Sequence, residues 1–484
     1  MVVSTVQSQC PPAYTFTGEA ADDRFGWSVA SAGDVNNDGF DDLIVGAIWN
    51  DAGGADAGRA YVFSGKTGDT IYVFTGEAAG DWFGISVASA GDVDNDGFDD
   101  LIVGAVFNDA GGDRLGRVYV FSGQTGDTIY TFAGETAVDL FGWSVASAGD
   151  VNNDGYADLI VGAVANDAAG RNAGRAYVFS GLTGDTFYVF TGEAAGDNFG
   201  NSVASAGDVN NDGFDDLVVG AHAVPGGTKP GRAYVFSGLN GDTIYVFTGE
   251  AAGDRFGIRV ASAGDVNNDG IDDLIVGAHY NNAGGFRTGR AYVFSGLNGD
   301  TLYIFTGDEE WGFFGFSVTS AGDVDNDNFD DLIVGAPLYD AGGHSSGRAF
   351  VFSGQTGDTL HVFNGEAEGD NFGVWAASAG DVNNDGFDDL IVGAYLNDAG
   401  GTDAGRAYVF SPCGFRGDVN YDGKDANILD LTFLVDFIFR GSGDPGPCPE
   451  EADVNGDGDS ADILDLTFLV DFIFRGGPPP GPCP

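Results

Sequence analysis

The sequence predicts an all-β chain, a seven-bladed β-propeller, with a small α-helical, loop-rich calcium-binding module behind it. Three observations carry this. Phe-Gly pairs recur every 57 or 58 residues, at Phe25, Phe83, Phe141, Phe199, Phe256, Phe314 and Phe372. An acidic loop follows each pair, first as Asp34-Val35-Asn36-Asn37-Asp38-Gly39-Phe40-Asp41-Asp42. Beyond residue 411 the apolar spacing turns from strand-like to helical.

Each repeat reads as four strands separated by turn residues: Trp27–Ser31, Leu43–Ala47, Arg59–Phe63 and Thr70–Thr75 in the first copy. Four antiparallel strands repeated seven times form a propeller, because radial stacking covers the sheet edges. The last copy has three strands only, ending at Ser411. Its missing outer strand is Tyr14-Thr15-Phe16-Thr17-Gly18, so the N-terminus is expected to close the ring. In that register Cys10 and Cys413 fall two positions apart in the hairpin turn, within reach of a disulfide.

The acidic loops wrap a hard cation in oxygen. In the first loop the ligands are Asp34, Asn36, Asp38, the backbone carbonyl of Phe40, and Asp42. The next gives Asp92, Asp94, Asp96, Phe98 and Asp100; the third Asp150, Asn152, Asp154, Tyr156 and Asp158. Then come Asp208, Asn210, Asp212, Phe214 and Asp216, followed by Asp265, Asn267, Asp269, Ile271 and Asp273. The last two give Asp323, Asp325, Asp327, Phe329 and Asp331, then Asp381, Asn383, Asp385, Phe387 and Asp389. Position 9 is aspartate in every copy, whereas position 8 is Asp41 in the first and Ala157 in the third. Asn328 replaces the sixth-position glycine once, and asparagine tolerates the left-handed turn. The competing reading is a set of Asx-turns that punctuate strands.

The formal charge of −55 over 484 residues excludes a nucleic-acid binder, which needs a basic face, and argues against docking on anionic lipid. No apolar run is long enough for a membrane helix, so no membrane insertion is expected. Residues 1–9 lack the basic and apolar regions of a secretion signal, and a mature or trimmed chain is the expectation. Cytoplasmic calcium is too scarce to fill weak acidic loops. An extracellular location follows, secreted or at the cell surface.

The Phe-Gly pairs, the Asp loops and the Val-Gly-Ala turns, with Gly335-Ala336-Pro337 in full, resemble the FG-GAP repeats of integrin α-chain propellers. The resemblance covers residues 13–411, behind an N-terminal segment 1–12. It implies calcium loops between the first two strands of a blade on one face, and ligand binding on the opposite face. All seven loops here carry a ligand set, which points to a structural propeller more than to a receptor.

Residues 412–484 resemble a dockerin type I module, a calcium-dependent plug for cohesin domains. Its two units pair a loop with the helix Ile428–Arg440 or Ile463–Arg475. The resemblance implies the ligands Asp418, Asn420, Asp422, Lys424 and Asp430, and Asp453, Asn455, Asp457, Asp459 and Asp465. Asp430 and Asp465 stand at position 13, where that family closes on position 12; a one-residue insertion accounts for it. Cys448 and Cys483 are then left to pair with each other, one of three pairings open to four cysteines. The helices are apolar nearly all round, so they either pack on each other or await a partner.

No catalytic residues are expected. His222, His279, His344 and His361 form no metal cluster, and the first two read as a repeated surface position. No serine, cysteine or lysine sits in a nucleophile motif. The recurring arginines, Arg59 to Arg406, are expected to pair with a neighbouring Asp. Trp27, Trp82, Trp143 and Trp311 either pack between blades or stack on sugar rings. The preferred function is therefore a non-enzymatic extracellular assembly protein. Its rigid propeller is joined through the tail to a cohesin-like domain or to another copy of the chain, as in a filament or surface layer. The alternative is an adhesion module that binds a glycan or cell-surface protein on the face opposite the calcium loops.

Overall fold

The computed structural model describes residues 12–223, 229–384, 386–411, 431, 434, 435, 454 and 463–475. Outside these lie Cys10, Cys413, Cys448 and Cys483, and with them both expected disulfides. Also outside lie Asp385 and the expected tail ligands Asp418, Asn420, Asp422, Lys424, Asp430, Asp453, Asn455, Asp457 and Asp459.

Seven four-stranded antiparallel sheets follow one another around a ring. In the first blade the strands are Phe25–Gly33, Asp42–Ala47, Arg59–Phe63 and Thr70–Thr75. The first strand is longer than the sequence predicts. It takes in the Phe-Gly pair, whose phenylalanine pairs with Ala47 across a register shift. Burial follows strand position. Every residue of Asp42–Ala47 is buried, while Thr70–Thr75 on the rim buries only Phe74. The first strands of successive blades pack side by side around the axis. There they carry Ala, Ser and Gly, the residues that let seven strands converge; Ala32 and its counterparts Ala90 and Ala148 are fully buried.

The core lies between blades rather than within them. Ile44, Val62 and Phe74 of the first blade pack on Phe83, Leu101, Val103 and Phe121 of the second. Phe74 stacks on Phe121 at 4.0 Å, and Phe83 meets Tyr119 edge-on at 5.5 Å. The glycine of each pair is needed sterically. Gly26 has φ +81°, and a Cβ there would strike the Arg406 carbonyl of the preceding blade.

The ring closes as the sequence predicts. Tyr14–Thr17 pairs with Arg406–Phe410 and completes the sheet that also holds Ala376–Gly380 and Asp389–Ala394. Phe16 stacks on Phe63 at 4.0 Å, the contact that Phe74 makes with Phe121. Beyond the propeller, Ile463–Arg475 is helical, and Leu469 packs with Leu434 and Val454 in a small apolar cluster.

Position 8 of the acidic loops has a role that a ligand count misses. Asp99 accepts a hydrogen bond at 3.0 Å from the backbone N–H of Asp34 in the preceding blade. Asp215, Asp330, Asp388 and Asp41 do the same for Asp150, Asp265, Asp323 and Asp381. These carboxylates latch blade to blade, and Asp41 latches the last blade to the first. They also explain Gly33, whose Cβ would collide with the Asp99 carboxylate. Ala157 leaves one latch unmade, so the ring tolerates a gap. The substitution Asp99→Ala is expected to destabilise by about 1 kcal/mol, the net worth of such a bond, and Ala157→Asp to lose nothing. Thermal melts of both variants check this.

Candidate functional site

Each acidic loop leaves a first strand and enters a second, so the seven loops share one face with the hairpins between third and fourth strands. Their fold is built from the position-1 carboxylate. Asp34 accepts the backbone N–H of Asp38 at 3.0 Å and of Gly39 at 2.9 Å, and Asp92, Asp150, Asp208 and Asp265 repeat the pattern. The Asx-turns are therefore present, and they shape the loop.

The position-9 carboxylates Asp42, Asp100, Asp158, Asp216, Asp273, Asp331 and Asp389 are all fully buried. One oxygen of Asp100 accepts the hairpin N–H of Gly123 at 2.9 Å, tying loop to sheet. Among the described residues no cationic side chain forms an ion pair with these groups. Burial, followed by repulsion from Asp38 and Asp34, pushes the Asp42 carboxyl up to about 7. Asp100, Asp158, Asp216 and Asp273 reach about 7 for the same reason, and Asp331 about 8.

The loops divide by position 3. Asn36, Asn152, Asn210, Asn267 and Asn383 donate their amide to the position-9 carboxylate, at 2.8 Å for Asn36 and Asp42. Asp94 and Asp325 have no proton to give. There the acids converge unrelieved: Asp92, Asp94 and Asp100 bring carboxylate oxygens within 4.8 Å of one another, as do Asp323, Asp325 and Asp327. Asp38 and Asp325 each bury a carboxylate oxygen with no hydrogen-bond partner. Clustered carboxylate oxygen, part of it buried, fits a hard divalent ion. The described carboxylates of these two loops have the chemistry such an ion needs. Of the expected tail ligands only Asp465 is described, and it is buried.

The opposite face carries the loops after each second and fourth strand. A buried tie frames it, in which Asn50 donates to Asp23 at 3.1 Å and Asn108 to Asp81 at 2.8 Å. Asn166, Asn281 and Asn397 repeat the tie with Asp139, Asp254 and Asp370. Two blades break it. Asp197 pairs with Lys229, and Tyr339 takes the asparagine position and donates to Asp308 at 3.0 Å.

The residue before each Phe-Gly pair is left-handed in all seven blades: Arg24, Trp82, Leu140, Asn198, Arg255, Phe313 and Asn371, with φ from 53° to 58°. Asparagine accepts that backbone readily, whereas Trp, Leu and Phe strain it. Trp82, Leu140 and Trp143 pack with Trp27, Trp49 and Phe107 around Ile48, Ile85 and Val106. Trp27 meets Tyr395 of the last blade at 4.9 Å, so these tryptophans do pack between blades. Trp311 does not. It is 50% exposed.

Across the axis the same face is polar and cationic. His222 and His279 are buried, not at the surface as the sequence suggests. Burial, then Arg255, lowers both, His222 to about 3, so the imidazoles are neutral. Arg259 stands where most other blades carry a serine, lies 4.3 Å from the Trp375 ring, and is pushed down to about 10 by burial. The recurring arginines also differ from expectation. Arg59 pairs with Glu19 at 2.8 Å and Arg117 with Glu77 at 3.1 Å, a glutamate of the preceding unit each time, not an aspartate. In a single sequence these features show only as departures from the repeat, and they become a face when the blades are closed into a ring.

FG-GAP repeat models match residues 25–63, 83–121, 141–179, 199–236, 256–294, 314–352 and 373–410, over half of the chain. Among curated proteins the chain is similar to integrin alpha-5 of Xenopus laevis, 37% identical over 216 residues, which is 41% of this chain and 20% of that one. It is likewise similar to integrin alpha-V of Gallus gallus, 32% identical over 234 residues, 45% of this chain and 22% of that one. The chain thus spans about a fifth of the length of these relatives. With a repeat model on every blade, the chain belongs to the FG-GAP repeat family as a seven-bladed, integrin α-like propeller.

Proposed function

We propose that the chain is a non-enzymatic extracellular binding module, stiffened by calcium in its seven loops, that takes its ligand on the face opposite those loops. One observation carries this reading. The loop face repeats its chemistry from blade to blade, while the other face spends strained backbone on Arg24, Trp82, Leu140, Arg255 and Phe313 where Asn198 and Asn371 show that asparagine serves. Strain kept at a diversified surface marks recognition rather than folding. The two integrin α relatives support an adhesive role. This favours the second of the two functions weighed from the sequence, since the regularity that argued for assembly belongs to one face only.

The test is adhesion of the purified protein to cells and extracellular matrix in millimolar calcium. Replacing Trp82, Leu140 and Phe313 together by asparagine is expected to abolish adhesion while the chain still melts cooperatively, relief of the left-handed strain offsetting part of the lost ring packing. Substituting Leu182, Leu239 and Leu297, exposed on the hairpins of the loop face, is expected to leave it intact. Equal adhesion by both variants would sink the reading.

The tail adds a second reading, favoured by the packing of Leu469 on Leu434 and Val454. Its two loop–helix repeats act as one dockerin-like unit with two calcium sites, connecting the propeller to a cohesin-like domain or to another copy. Size-exclusion chromatography with and without calcium tests self-assembly directly.

A further inference from the structure

We propose that the outer corner between the fifth and sixth blades, on the face opposite the metal loops, is a binding site for a carboxylate-bearing sugar. The proposal rests on the binding-module reading above and names its ligand class and place.

Trp311 is the starting point. It occupies a left-handed position, φ 67°, where four other blades carry Gly80, Gly196, Gly253 and Gly369. The strain places a large ring in water rather than in the core, for Trp311 is 50% and its neighbour Phe286 48% exposed. The two rings meet edge-to-face at 4.8 Å, which holds the indole as a rigid, open platform. An exposed, fixed aromatic platform suits the flat apolar face of a pyranose.

The charge beside it is the second observation. Arg287 lies 4.7 Å from the Trp311 ring and 4.2 Å from Tyr280, and Arg255 lies 4.0 Å from Tyr280 on the same cluster. Neither guanidinium has an ion-pair partner among the described residues, whereas six of the seven rim arginines do. Arg255 contacts the neutral His279 at 3.4 Å, which positions it without neutralising it. The nearby Glu310 is turned to the Phe286 backbone N–H, at 3.4 Å, and not to either arginine. In a chain of net charge −55, two adjacent guanidiniums with no acid between them supply the fork that a carboxylate fits. An acidic peptide would bring the charge but no flat face for the indole.

The repeat supplies its own folding controls. Trp311→Gly restores the residue of four other blades, Arg255→Asn copies Asn198, and Arg287→Asn copies Asn172, whose φ is 52°. All three substitutions suit the left-handed backbone better than the residues they replace.

The experiment is calorimetric titration of the full chain in millimolar calcium with three probes: a glucuronate-bearing tetrasaccharide, its methyl ester, and tetraglutamate. The proposal expects the free acid to bind, and the ester to bind about tenfold or more weakly because the charge-assisted bonds are gone. It expects tetraglutamate not to bind. Each arginine substitution should weaken the acid about tenfold and leave the ester unchanged, while Trp311→Gly should weaken both. No binding of the free acid, or binding that the three substitutions leave untouched, overturns the proposal. Preference for tetraglutamate, lost in the arginine variants, also overturns the sugar assignment but leaves the face in use. Loss of adhesion in the Trp82, Leu140 and Phe313 variant, with no sugar bound, separates failure of this site from failure of the binding reading.

Discussion

Excess chelator at pH 7.5 is expected to lower the melting temperature of the propeller by about 10–20 °C or to unfold it. With a dissociation constant of about 0.1 mM and about 1 mM calcium, one loop contributes roughly 1.4 kcal/mol and seven independent loops about 10. Domains of this class have only about 5–15 kcal/mol in reserve. The sign of the pH dependence follows from the position-9 acids. Their folded pKa values, about 7 for Asp42 and about 8 for Asp331, stand above the unfolded carboxylate value. In the metal-free chain they therefore add stability at low pH, and that stability is lost as pH rises through 7 to 8. Metal-free protein should melt higher at pH 5 than at pH 8. Calcium-loaded protein should show the reverse, because the ion needs the ionised carboxylates and competes with protons for them. Melts at pH 5, 6.5 and 8, with calcium and with chelator, read both trends. The acidic loops with Asp94 and Asp325 should release their ions last in a chelator titration, since their third carboxylate replaces a neutral amide.

Opening the ring is the second large perturbation. A chain that begins at residue 19 loses the pairing of Tyr14–Thr17 with Arg406–Phe410 and the stack of Phe16 on Phe63. Losing the phenylalanine alone removes about 3–5 kcal/mol. The bare edge of Arg406–Phe410 then invites pairing with another chain. The expected result is loss of the cooperative melt with concentration-dependent association. Phe16→Ala should lower stability while keeping a monomer, and Cys10→Ser controls for the thiol removed with the strand. A truncated chain that melts like the parent would show that the closing strand is dispensable.

Much of this architecture is legible in the sequence because each blade repeats one physical problem. Phe25 and its counterparts must be buried, Gly26 must be left-handed, and Asp42 must lie under the loop, so the same letters return at the same spacing. The closing strand is legible for the same reason, since Tyr14-Thr15-Phe16-Thr17 reads as a fourth strand without its other three. What escapes is whatever depends on neighbouring blades. Asp99 looks optional beside Ala157 until it is seen to bond the loop of the blade before it. The rim arginines reach a glutamate 40 residues upstream, a distance that local pairing does not suggest. His222 and His279 look exposed because they follow Gly-Ala at a strand end, yet the next blade covers them. Trp27 and Trp311 carry the same letter beside the same motif, yet one is half-buried against its neighbours and the other is 50% exposed.

The central claim is that divalent metal occupies every blade loop and holds the wheel together. Equilibrium dialysis with radioactive calcium, at pH 7.5 and 1 mM free ion, tests it most directly on the intact chain. The account predicts at least one bound ion for each of the seven blades, with a stepwise loss of one ion for each position-9 aspartate changed to alanine. A chain that binds no calcium, or whose bound calcium is unmoved by Asp100→Ala and Asp331→Ala, would contradict it.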